Sequence, residues 1–182
     1  MKSILLKIAR IGVVTEPARP YSDQELEELG TELRTVIDQR FRRSLAIRQV
    51  DAGSCNGCEL EIHALNNAFY DLERYGVHFV ASPRHADLLL VTGPVSRHMQ
   101  HALKATYEAT PDPKWIIAVG TCAVDGGEFG VSYASLGAIE NVIPVDVVIP
   151  GCPPTPLTLL RGLLAFLTRR EPQPGTTRRV IR

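Results

Sequence analysis

No stretch of this sequence is apolar for long enough to cross a bilayer. The densest runs, such as residues 115–119, fall far short of the roughly 18 residues that a spanning helix needs. An excess of charge of one sign is missing too. Twenty Lys and Arg balance twenty Asp and Glu, so no overall field draws the chain to nucleic acid or to an acidic membrane surface, and no nucleic-acid partner is expected. Lys2, Lys7 and Arg10 interrupt the N-terminal segment before a secretory h-region can form, and there is no twin-arginine pair. A cytoplasmic protein is expected. No G-x-G-x-x-G follows a strand-like run, so a nucleotide site lacks support. Cysteine is scarce, with four in 182 residues, and in a reducing compartment thiols favour metal or redox chemistry over disulfides.

What is present divides into three stretches. Residues 1–44 hold an arm and a helix. The arm, residues 1–21, mixes apolar and basic side chains and ends in a Pro17 and Pro20 stretch without a clear period, which predicts extended chain. Ser22 and Glu25 then form a capping box, and Leu26, Leu29, Leu33, Val36, Ile37 and Phe41 recur at helical spacing. This amphipathic helix either covers the domain's own core or docks on another subunit. Arg40, Arg42 and Arg43 suit the negative end of its dipole.

Residues 45–168 alternate between strand-like and helical runs. The strands are expected at 45–50, 77–80, 87–91, 115–119 and 145–149, and the helices at 60–74, 96–109 and 156–167. Such alternation implies parallel pairing through right-handed crossovers, and the apolar density of residues 88–91 suits strands buried on both faces. The expected fold is therefore α/β, a flavodoxin-like doubly wound parallel sheet with an N-terminal arm and helix. Residues 169–182 are rich in Pro, Thr and Arg and read as a loose tail.

The cysteines fall after strands. Cys55-Asn56-Gly57-Cys58 follows the first, Cys122 the one ending at Val119, and Cys152 the one ending at Ile149. In a parallel sheet these positions share one edge, where ligand sites of open α/β sheets form. A C-x-x-C turn offers two thiolates to one centre, and Gly57, Gly120 and Gly151 let the backbone come close. Pro153 and Pro154 remove N–H donors beside Cys152, and the helix after them turns its positive end toward the site. A 4Fe-4S cluster uses all four thiols. A structural zinc ion takes four cysteines as well, although its usual grammar is two C-x-x-C knuckles and here Cys122 and Cys152 stand apart. A zinc-stabilised scaffold, a dithiol at Cys55 and Cys58, buried cysteines acting as small hydrophobes and a flavin-binding domain remain open.

Four blocks carry a family resemblance: Cys55-Asn56-Gly57-Cys58-Glu59-Leu60-Glu61; Ser82-Pro83-Arg84-His85-Ala86-Asp87 with Thr92-Gly93-Pro94-Val95; Gly120-Thr121-Cys122; and Ile143-Pro144-Val145-Asp146 with Ile149-Pro150-Gly151-Cys152-Pro153-Pro154-Thr155. Over residues 45–168 the chain resembles the small subunit of group 4, energy-converting, formate hydrogenlyase-type nickel-iron hydrogenases. A relative of that family is the terminal-cluster 20 kDa subunit of respiratory complex I. The resemblance implies one 4Fe-4S cluster on Cys55, Cys58, Cys122 and Cys152, close to a nickel-iron site on a hydrogenase-type large subunit. It also implies electron exchange with a ferredoxin-like iron-sulfur subunit, membrane subunits in the same complex, and a peripheral position on the inner face of the cell membrane. Complex I subunits place two adjacent cysteines in the first block, so C-x-x-C favours the hydrogenase branch over a complex I-like NADH/quinone or hydrogenase-related oxidoreductase lacking nickel.

Weaker signals surround these blocks. Glu59 and Glu61 suit a helix N-terminus, and Glu61, which matches a glutamate of the family motif, is a candidate for supporting the cluster from beside its ligands. His63, His85, His98 and His101 lack a second metal motif and read as surface or interface residues. Arg84 and Asp87 suggest a loop-fixing salt bridge. Asp125-Gly126-Gly127-Glu128 reads as a flexible acidic loop able to cover the cluster or face a partner.

Overall fold

The computed structural model describes Leu6, Lys7, Arg10, residues 23–168 and the pair Arg179–Val180. The arm expected over residues 1–21 lies outside the described residues apart from Leu6, Lys7 and Arg10, which are helical rather than extended.

Helix α1, Asp23–Phe41, buries Leu26, Leu33 and Ile37 in the chain's own core. Of the two roles open to its apolar stripe, the structure realises the internal one. Arg40 Nη1 donates to the carbonyl of Leu167 at 2.8 Å, and Glu25 pairs with Arg161, so α1 is tied along its length to α5, Pro156–Leu167.

The central sheet is parallel throughout, in the order β2-β1-β3-β5-β7-β8. Its strands are β1 Leu45–Asp51, β2 Val77–Phe79, β3 Leu88–Thr92, β5 Trp115–Val119, β7 Val147–Ile149 and β8 Arg179–Val180. A separate antiparallel pair joins β4, Val95–Ser96, to β6, Ser135–Gly137. Strand β8 lies within the stretch expected to be a loose tail, yet it pairs with Val147 and Val148 of β7.

Alternate residues of each strand face opposite layers. Ile47, Leu88, Leu90, Ile117 and Val147 pack under α1, α5 and α2, the last spanning Gly57–Ala64. Leu89, Val91, Ile116, Ala118 and Val148 face a second layer that includes Leu103 of α3, Gln100–Ala109, and Ala123 of α4, Thr121–Asp125. Both faces are covered, which is why β3 and β5 are buried along their whole length. The doubly wound, flavodoxin-like fold stands as expected. At the amino edge, Asp87 pairs with Arg43 rather than with Arg84. The same carboxylate accepts the Ala46 N–H at 3.0 Å, so it fixes the start of β3 against β1.

Candidate metal centre

The loop after β1 is shaped by its own side chains. Asp51 Oδ1 accepts the N–H groups of Gly53 at 2.7 Å and Ser54 at 2.8 Å, and Ser54 Oγ accepts that of Asn56 at 3.1 Å. Such Asx-type turns reverse the chain without a partner strand. Asn56 takes a left-handed conformation, φ 71°, and α2 starts directly after it. Cys55 is left exposed in the turn and Cys58 half-buried in the first helical turn.

Cys122 and Cys152 are positioned against each other by backbone bonds. Gly120 N–H donates to Ile149 O and Thr121 N–H to Gly151 O, both at 2.8 Å, and Thr121 Oγ1 donates to Gly151 O at 3.2 Å. The loop after β5 is thus locked to the loop after β7. It also meets the C-x-x-C turn, since a β-carbon on Gly120 would stand 2.5 Å from Cys58 Sγ and one on Gly57 3.9 Å from the Pro153 ring. All four cysteines lie at the carboxyl edge of the sheet, and all four are free thiols.

Their electrostatics register this gathering. Burial pushes the Cys58 thiol up to about 12, and the negative charges of Glu59, Cys55, Cys122 and Cys152 push in the same direction. Burial also raises Cys122, followed by Cys152, Cys55 and Asp125, against a lowering from its own backbone. Four thiolates drawn together repel one another, and only a positive centre among them reverses that sign. Among the described residues no group of three or more His, Cys, Asp or Glu side chains stands ready-made to hold a metal ion.

Residues 55–166 match the family described as NADH ubiquinone oxidoreductase, 20 Kd subunit. The chain belongs to this family. A probable membrane-bound hydrogenase subunit of Pyrococcus furiosus is 48% identical over 127 residues, 70% of this chain and 76% of the relative. Formate hydrogenlyase subunit 7 of Escherichia coli is 42% identical over 142 residues, 78% of this chain and 56% of the longer relative. An NADH-quinone oxidoreductase subunit of Citrifermentans bemidjiense is 47% identical over 107 residues, 59% of this chain and 62% of that one. Among solved structures, a chain of the membrane-bound sulfane sulfur reductase, an archaeal respiratory membrane complex, superposes with a TM-score of 0.62 at 36% identity. It covers 72% of this chain and 73% of that one. A 20 kDa-type subunit of this kind works inside an oxidoreductase made of several subunits. Among the described residues no helix is long and apolar enough to cross a membrane.

For this 20 kDa-type subunit the sequence pointed to Glu61, whereas the more deeply placed carboxylate is Glu59. Glu61 is half-buried. Glu59 is only 4% exposed, and its Oε1 accepts the hydroxyl of Thr92, which also reaches Val50 O at 3.3 Å. The other oxygen, Oε2, has no partner. Thr92 lies 33 positions away at the end of β3, and nothing local signals the pairing. His63, His85, His98 and His101 are exposed. His98 precedes α3 rather than lying on it, because Ser96 is taken by β4. The segment 125–128 is a turn and not a flexible loop: Asp125 Oδ1 accepts the Gly127 N–H at 2.7 Å, and Gly127–Phe129 forms a 3-10 turn. A β-carbon on Gly127 would stand 2.6 Å from Cys122 Sγ, so this turn closes over that thiol.

Proposed function

We propose that Cys55, Cys58, Cys122 and Cys152 hold one 4Fe-4S cluster, and that the chain is the electron-relay subunit of a membrane-associated, hydrogenase-type complex. The observation that carries this reading is the meeting of four free thiols from three loops at one sheet edge, where Cys55, Cys122 and Cys152 each add to the electrostatic strain on Cys58. When bound, such a cluster supplies one-electron chemistry over a potential range set by its surroundings. The residues present fit it. Gly120 leaves the space that Cys58 Sγ requires, and the Gly127 turn packs against Cys122. Thr121 keeps the loops of Cys122 and Cys152 in register. Glu59 ties the first turn of α2, which carries Cys58, to the end of β3.

Partner subunits have a surface to meet. Leu60 next to Cys58, and Phe129, Val131 and Tyr133 beyond Cys122, are each more than 60% exposed, and a run of large apolar side chains beside a redox site is a docking surface. In this reading the partners are a large subunit bearing the nickel-iron site and a ferredoxin-like subunit, with the complex peripheral on the inner face of the membrane. The relatives named as hydrogenase and formate hydrogenlyase subunits support proton reduction or hydrogen oxidation as the chemistry. The likeness to a sulfane sulfur reductase chain supports a second reading, the same relay in a complex without nickel.

The test is anaerobic purification followed by iron and sulfide analysis and EPR. About four irons per chain and a paramagnetic signal on reduction are expected, with both lost in Cys122→Ser and Cys152→Ser. An intact preparation without iron, or serine variants with unchanged iron, would overturn the relay. Nickel content and hydrogen evolution of the purified complex separate the two readings.

A further inference from the structure

A cavity of about 300 Å³ opens beside β1, lined by Arg48, Gln49, Ile62, His63, Asn66 and the turn that begins at Phe79. Its origin is a mismatch of strand lengths. β2 has three residues against seven in β1, and their pairing runs only from Leu45 with Val77 to Ile47 with Phe79. From Arg48 onward the outer edge of β1 therefore has no strand beside it among the described residues, and α2 forms the far wall.

Arg48 is the unusual member. Its Nε is sealed from solvent and has no hydrogen-bond partner, and no ion pair among the described residues engages its guanidinium. Among the described residues the cavity lining holds no carboxylate. With Nε closed off, the guanidinium offers an acceptor in the cavity it lines its outer N–H groups, and a half-buried cation without a partner is costly. Its planar fork matches a carboxylate above other anions of similar size that lack two coplanar oxygens. His63 and Asn66, three apart on one side of α2 and the turn after it, add polar groups together with the Gln49 amide. Ile62 and Phe79 supply an apolar wall. The volume is at the lower end of small-ligand sites, which are mostly apolar with a few placed polar groups.

We propose that this cavity binds a carboxylate attached to a small apolar body, with Arg48 as its anchor. The carboxylate belongs either to a free organic acid or to an acidic side chain of a neighbouring subunit. The proposal goes beyond the electron-relay reading and does not rest on it, because no lining residue is one of the four cysteines.

The test titrates the purified full chain with benzoate by calorimetry, against benzyl alcohol as the uncharged match. A free-acid site shows saturable benzoate binding, none for benzyl alcohol, and at least a tenfold loss in Arg48→Met and Arg48→Gln, while Lys104→Ala on the exposed side of α3 binds as before. A subunit-borne carboxylate shows no benzoate binding, and Arg48→Met instead speeds dissociation of the subunit from the purified complex at least tenfold, with Arg48→Lys in between. Benzoate and benzyl alcohol binding alike, or neither ligand binding while Arg48→Met leaves the complex intact, overturns the proposal. Iron content is unaffected in either case.

Discussion

Asp146 clasps Ile116 by two hydrogen bonds: its N–H donates to the Ile116 carbonyl at 3.0 Å, and its carboxylate accepts the Ile116 N–H at 2.8 Å. Asp87 does the same to Ala46, at 2.8 and 3.0 Å. Each aspartate immediately precedes a strand, β7 or β3, and each grips the strand beside it. Register at the amino edge sets register at the carboxyl edge, where Cys152 must meet Cys122. Asp146→Ala leaves the buried Ile116 N–H without its acceptor, a loss of about 1–3 kcal/mol, and Asp87→Ala adds the release of Arg43. Asparagine at either position keeps an accepting oxygen and should recover most of the loss. Urea midpoints of the three kinds of variant check this, and alanine variants as stable as the parent would refute the clasp.

Much of this scaffold was legible because it is periodic. Residues 115–119 and 156–167 were bounded as the structure has them, since a doubly buried strand and a capped helix beginning with proline carry local signals. The helix after Cys58 was read as 60–74 but stops at Ala64. There the Asn67 side chain accepts the N–H groups of Phe69 and Tyr70 at 2.9 and 3.0 Å, and that competition with helical bonding leaves no mark on apolar spacing. The β4 and β6 pair is too short for any period, and it joins residues about forty positions apart. At the site, the cysteines and glycines were legible as residue types placed after strands. Glu59 was not, because its meaning comes from Thr92 across the sheet edge.

Gly120 offers a sharper test of the site than the cysteines themselves. Its φ is +88°, and a β-carbon there would stand 2.5 Å from Cys58 Sγ, a half-buried thiol that must shift to make room. Gly120→Ala therefore combines backbone strain of about 1–3 kcal/mol, since φ 88° with ψ 153° is a conformation open to glycine almost alone, with displacement of a proposed ligand. Iron per chain is expected to fall by more than half. Gly162→Ala is the control: its β-carbon would meet Ile149 Cδ1 at 2.5 Å in the core, so it should lower thermal stability while the surviving folded protein keeps its iron. Equal iron in both variants would remove Gly120 from the site.

Alkaline stability should report the joint between α1 and the 3-10 turn Leu72–Tyr75. The Tyr75 hydroxyl donates to Glu27 Oε2 at 3.0 Å. Burial raises its pKa above 10, the Glu27 bond adds to the rise, and Arg74 opposes it. Above pH 10 the unfolded chain gives up this proton before the folded one does, so the folded state binds more protons and stability falls as pH rises. The contribution is complete below pH 10 and is lost as pH passes through the raised folded value. Tyr75→Phe should weaken the protein by about 0.5–1.5 kcal/mol at pH 8 and flatten part of the decline between pH 9 and 11. Tyr107 and Cys58, both raised by burial, keep the remainder. Parallel curves for parent and variant would show that the phenol does not titrate in that range.

Removing iron should expose the order in which the four thiols react. Alkylation needs the thiolate. Cys58, pushed up to about 12 mainly by burial, is almost wholly protonated at pH 8, whereas Cys55 and Cys152 stand exposed to the reagent. Mass spectrometry of iron-stripped protein treated with iodoacetamide should find Cys55 and Cys152 labelled first and Cys58 last. The Cys58 rate should climb about tenfold per pH unit until the thiol titrates. Iron binding must therefore take a proton from Cys58 at any pH below that value, so reconstitution should release acid and weaken as pH falls. Its raised pKa also means that the iron-free fold loses stability as pH climbs from 9 toward 12, the unfolded thiol ionising first. In the iron-loaded protein all four sulfurs should resist the reagent together. Cys58 labelled as fast as Cys55 at pH 8 would show that it is neither buried nor pressed by its three neighbours, and the electrostatic ground for a shared centre would go with it.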